Sequence, residues 1–88
     1  MTDARIQMSS IRNQTCTDIR QTFLDEALRD NLIRQLDKEF SEHLAMLDKP
    51  RADHVRIQYE FVGVSRSIYS RAIHELSRLH AEYTNRVL

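Results

Sequence analysis

From Val55 to Val87 the chain repeats at alternating steps of four and three residues. The positions are Val55, Tyr59, Val62, Arg66, Tyr69, Ile73, Leu76, His80, Tyr83 and Val87. Ala52, Ile68, Ala72 and Leu79 widen this stripe on one side. Such a rhythm, held over roughly nine turns, predicts a helix that must bury one face against another helix. A second stripe, Ile33, Leu36, Phe40, Leu44 and Leu47, lies upstream. Two adjacent lines precede it: Ile19, Phe23, Ala27 and Leu24, Leu28, Leu32. Read as one helix from about Cys16 to Leu47, this segment has an apolar face that is broad at its start and narrow at its end. A broad face implies more than one neighbour.

The punctuation between the stripes is Asp48-Lys49-Pro50-Arg51-Ala52-Asp53. Pro50 removes a helical hydrogen bond and clashes with the preceding turn, and it pushes Lys49 toward an extended conformation. It also suits the first turn of a following helix, with Asp48, Lys49 or Asp53 near the cap. A connection this short implies antiparallel neighbours. Upstream, Thr15 or Thr17 is a candidate cap, with Asp18 in the first turn. Met1 to about Gln14 is polar with scattered Ile6, Met8 and Ile11, and reads as a flexible N-terminal arm or a segment that orders on binding. The expected organisation is an arm over residues 1–14 followed by a helical hairpin domain over residues 15–88, with helices at roughly 16–48 and 51–86. The fold class is all-α: a long antiparallel two-helix hairpin. Two such hairpins are expected to pair as a homodimeric four-helix bundle with coiled-coil-like packing.

Two stretches complicate the second helix. Residues 55–62 also alternate as a strand would, through Val55, Ile57, Tyr59 and Phe61. Helix is preferred there, because no second strand exists to pair with and the seven-residue rhythm passes through unbroken. Gly63 sits inside the helix, where it costs roughly 0.5–1 kcal/mol relative to Ala. Close approach to Phe40 or Leu36 would explain it, as would a kink or a boundary between two helices capped by Ser65.

Composition sharpens the class. A single Gly and a single Pro in 88 residues disfavour a compact β domain. Thirteen basic and thirteen acidic residues give no net charge, which argues against a general nucleic-acid or membrane-surface binder. The first fifty residues carry seven Lys/Arg and nine Asp/Glu, and the remainder six Arg, four Asp/Glu and three His, so the two parts are weakly complementary. Cys16 is the sole cysteine, which fits a reducing, cytoplasmic setting. No secretory leader is evident, no apolar run approaches membrane-spanning length, and Asn13-Gln14-Thr15 is a chance sequon in such a setting. The pairs Asp25/Arg29, Asp30/Arg34, Arg71/Glu75, Arg78/Glu82 and Glu82/Arg86 have the spacing of solvated i,i+4 pairs.

Candidate chemistry is sparse. His74-Glu75-Leu76-Ser77-Arg78 places Arg78 where a zinc-binding helix needs a second His. His43 and His54 flank the turn, with only Asp48 and Asp53 as nearby carboxylates. One Gly permits no phosphate loop, and no nucleophile–base set has a supporting motif. The reading is a non-enzymatic chain with no metal, no cofactor and no small-molecule substrate. It acts as a regulator, adaptor or chaperone by packing helices against itself and another protein. The interface residues expected are Phe23, Leu28, Tyr59, Arg66, Tyr69, Ile73, Leu76, His80 and Tyr83. Tyr suits a half-wet helix surface, and Arg66 and His80 are polar entries in an apolar stripe, of the kind that sets register or partner choice.

An alternative rests on Gly63-Val64-Ser65 followed by Ser70-Arg71. This resembles the turn and recognition helix of small helix-turn-helix repressors of the lactose-repressor type. The resemblance implies a DNA-binding transcriptional regulator in which Gly63 makes the turn. Ser65, Arg66 and Ser67 would then meet phosphates or base edges, and Arg71 would contact phosphate.

Overall fold

The computed structural model describes residues 3–87 and, of Val87, the backbone alone. Met1 and Thr2 of the expected arm, the stripe position at the Val87 side chain, and Leu88 lie outside the described residues. Three helices follow one another: α1 (Ala4–Thr22), α2 (Glu26–Leu47) and α3 (His54–Val87). Each packs against both of the others. They form one elongated bundle measuring 58 × 20 × 19 Å.

The caps explain where each helix begins. Asp3 accepts a hydrogen bond from the Arg5 backbone N–H at 2.8 Å and starts α1. Asp25 accepts from the Leu28 N–H at 3.1 Å and starts α2. Asp53 accepts from the Arg56 N–H at 3.1 Å and starts α3. Each carboxylate satisfies one of the N–H groups that a first turn leaves without a partner. Between α2 and α3, Pro50 stands in a tight turn completed by Arg51, whose φ of 63° is left-handed.

Cross-helix contacts fix the directions. Arg5 at the start of α1 pairs with Asp48 just past the end of α2. Arg12 holds Asp37 through two bonds, Nε–Oδ1 at 2.7 Å and Nη2–Oδ2 at 3.1 Å. The end of α1 meets α3 through Thr22 and Tyr69. The bundle therefore runs up, down, up, with α3 parallel to α1. Met8, Ile19, Phe23, Leu36 and Phe61 are the large, fully buried side chains of its core. Phe61 is the hub: its ring centroid lies 5.5 Å from Phe40 and 5.7 Å from the buried His43.

This architecture corrects the expected two-helix hairpin. The segment read as one helix from about Cys16 to Leu47 is two helices, broken at Phe23-Leu24-Asp25. Phe23 (φ −106°, ψ 119°) and Asp25 (φ −72°, ψ 117°) are extended. The break cuts through the two apolar lines taken for one broad face: Ile19 lies in α1, Phe23 and Leu24 lie in the connection, and Ala27, Leu28 and Leu32 lie in α2. Residues 4–14 of the expected arm are helical, and Met8 is completely buried. With α1 covering the inner face of α2 and α3, the core closes within one chain. The homodimeric four-helix bundle is thereby overturned. So is the coiled coil: the first half of α3 packs Ile57, Phe61, Ser65 and Ile68 into a three-helix core, whereas Val55, Tyr59 and Arg66 of the expected stripe are exposed. Residues 55–62 are helix, and α3 runs unbroken through Gly63. Nothing lies within 4 Å of where a Gly63 Cβ would be, so the expected approach to Phe40 or Leu36 is absent.

Candidate functional site

Helix lengths set up the most distinctive surface. α3 has 34 residues, α2 has 22 and α1 has 19. The extra length lies at the C-terminal end of α3, since the start of α2 already reaches Leu76. From His74 to Arg86 every residue is exposed. At 1.5 Å per residue the overhang is about 20 Å long.

The overhang keeps the pattern of the core. Ile68 and Ala72 face inward, and Leu76, Leu79 and Tyr83 continue the same helical face. With no helix above them, Leu76 is 44% exposed, Leu79 49% and Tyr83 69%. Leu24, in the α1–α2 connection, is 88% exposed. Two open clefts flank this ledge. One, of about 290 Å³, runs between α2 and α3 and is lined by Leu28, Leu32, Ile68, Ala72, Leu76 and Leu79, with Gln35, Arg71 and Glu75. The other, of about 220 Å³, is lined by Thr22, Phe23, Leu24, Asp25, Leu28 and Leu76. They share the Leu28–Leu76 wall, and together they form an apolar notch between the end of the bundle and the α3 overhang.

Charges stiffen the flank of the overhang. Arg78 bonds Glu75 one turn back and Glu82 one turn ahead, the latter at 2.6 Å. The Arg78 hydrogen bond holds the Glu75 carboxyl below its usual range, and the same bond raises the Arg78 guanidinium.

The residues expected at an interface divide by location. Leu28 and Leu76 line the notch, and Tyr83 and the exposed His80 lie further along the overhang. Phe23, Tyr69 and Ile73 are used by the chain itself. Phe23 is 2% exposed, its ring meets Tyr69 edge-on at 6.0 Å, and Ile73 packs on the core. Tyr59 is exposed on the first half of α3, away from the notch, and Arg66 lines a separate polar cleft against Ser10, Gln14 and Asp18 of α1. Leu24 and Leu79 were missed as site residues. Leu79 already flanked the sequence stripe, whereas the exposure of Leu24 depends on the break at 23–25.

The residues of the helix-turn-helix resemblance fall inside continuous helix, so Gly63-Val64-Ser65 forms no turn. Ser65 is 1% exposed and donates to the Phe61 carbonyl at 2.8 Å, inside the bundle. Ser67 accepts from Arg71 at 3.0 Å, and Arg66 is exposed.

His43 Nδ1 lies 2.7 Å from the Glu39 carbonyl, and His54 Nε2 lies 3.2 Å from the Leu47 carbonyl, so each ring is engaged by α2 backbone. Among the described residues no three His, Cys, Asp or Glu side chains are grouped to hold a metal ion. Nor is any described helix long and apolar enough to cross a membrane. Comparison of the chain with protein-family models, curated proteins and solved structures finds no match, so no relative lends it a function.

Proposed function

We propose that this chain is a non-enzymatic interaction module, a small regulator, adaptor or chaperone, that receives a helix of another protein in the notch between the bundle end and the α3 overhang. One observation carries the reading: the core stripe of α3 continues through Leu76, Leu79 and Tyr83 past the point where the chain's own helices stop. A contiguous apolar surface rimmed by polar groups favours association, because covering it removes apolar area from water. The stripe is narrow and has the three-and-four spacing of a seam for a single helix. Leu28 and Leu76 offer walls against which a side chain of that helix can seat. The buried thiol of Cys16 is compatible with action in the reducing cytoplasm.

The test is affinity capture from the native cells with three variants beside the parent chain. Leu79→Asp places a charge in the notch and Tyr83→Asp places one on the overhang beyond it, neither touching the core, and Tyr59→Asp does so elsewhere on α3. A partner held by the parent and by Tyr59→Asp, and lost with the other two, supports the notch. A captured set that is identical for all four chains would sink it.

A further inference from the structure

α1 differs from its neighbours within the bundle. Its buried side chains are Ala4, Met8, Cys16 and Ile19, and Met8 and Ile19 are as large and as fully buried as Leu36 of α2, so what sets α1 apart is its own sequence. From Ser9 to Asp18 it carries seven residues of the Ser, Thr, Asn, Cys and Asp class, all weak helix formers. Alone it would be a poor helix, so its order depends on docking. Side-chain bonds tie it down at three places: Arg5 to Asp48, Arg12 to Asp37, and Thr22 to Tyr69. Its link to α2 is three residues long, with Leu24 and Asp25 exposed. α2, by contrast, brings its own cap, since Asp25 holds the Leu28 N–H without help from α1. α2 and α3 are joined by their own turn and share the Phe40–Phe61 and His43–Phe61 contacts. Removing α1 therefore unravels neither end of the α2–α3 pair.

We propose that α1 is a releasable strap. It leaves α2 and α3 as one unit while they stay helical and paired, and its departure uncovers the inner face that holds Leu36 and Phe61. On α3 that face runs from Phe61 through Ile68 and Ala72 toward Leu76 and Leu79 of the overhang, so release lengthens the apolar surface that the closed bundle shows only at its end. The inference stands whether or not the notch has a partner.

Native-state hydrogen exchange on the full chain at low denaturant, read residue by residue by NMR, tests it. The amides of α1 from Met8 to Ile19 are expected to exchange through one shared opening. Their exchange should be about tenfold or more faster than that of the Phe61 and Ile68 amides, which need complete unfolding. Gly63→Ala supplies the control. It strengthens α3 at a position where an added Cβ meets nothing, α1 included, so it should slow the Phe61 and Ile68 amides about two- to fivefold and leave α1 unchanged. Equal protection of α1 and α3, slowed by the same factor in Gly63→Ala, would overturn the strap. So would exchange in α1 that is independent of denaturant, which reports residues fraying singly.

Discussion

The hydroxyls of Thr22 and Tyr69 lie 2.8 Å apart and close a hydrogen bond between the last residue of α1 and the middle of α3. The Tyr69 ring also meets Phe23 edge-on, so one side chain fixes both where α1 stops and how α3 lies against it. Tyr69→Phe keeps the ring and deletes the bond. It is expected to cost about 0.5–1.5 kcal/mol in urea denaturation, the usual net value of one intramolecular hydrogen bond. Tyr69→Asp places a charge in a half-buried site and should unfold the bundle, so it cannot serve as an interface probe.

Gly63 occupies an exposed position in continuous helix with open space where a Cβ would stand. Gly63→Ala should raise stability by about 0.5–1 kcal/mol, since it lowers the backbone entropy of the unfolded chain without a clash. Thermal or urea unfolding of the variant reads this directly, and a loss of stability would mean that the helix bends there.

Arg51 holds a left-handed φ of 63° in the turn between α2 and α3. A side chain with a Cβ is strained in that region, by roughly 1–2 kcal/mol. Arg51→Gly relieves the strain and loosens the unfolded chain, so the net expected gain is about 0.5–1 kcal/mol. Arg51→Val should have the opposite sign, because branching at Cβ aggravates the same contact.

Glu75 gives a pH dependence with a definite sign. Its folded carboxyl is held below the usual range by the bond from Arg78. The ionised form is therefore favoured in the helix. The stabilisation is complete above the unfolded value and disappears as pH falls through the lower, folded value. The helical signal of residues 74–86, followed by NMR secondary shifts, should weaken as pH falls below about 4, the range where free Glu titrates. Glu75→Gln should flatten that dependence while the core, which contains no part of this network, keeps its shifts.

Much of the fold is legible in the sequence. The stripe from Val55 onward and Pro50 together place α3 and the turn before it. The break at Phe23-Leu24-Asp25 is hidden because no Gly or Pro marks it. One quieter sign does: Asp25 stands at cap distance before Leu28, while the lines Ile19, Phe23, Ala27 and Leu24, Leu28, Leu32 run through the break at regular steps of four and conceal it. The first fourteen residues look like an arm because Ser, Thr and Asn weaken local helix. Tertiary burial of Met8 outweighs that local preference. For the site, periodicity says that a face is buried and not what buries it. Leu76 and Tyr69 therefore look alike in sequence, although Tyr69 is covered by α1 and Leu76 meets only the start of α2 and stays 44% exposed. That difference arises from where α1 and α2 end, which is set by the hidden break.

The overhang of α3 also governs how the molecule moves through solvent. A body 58 Å long and about 20 Å across meets more friction than a sphere of its 10.4 kDa. On a sizing column calibrated with compact standards, a single chain will elute early, at an apparent mass above its own but short of a pair. Sedimentation velocity, which separates mass from frictional shape, is the measurement that counts the copies correctly.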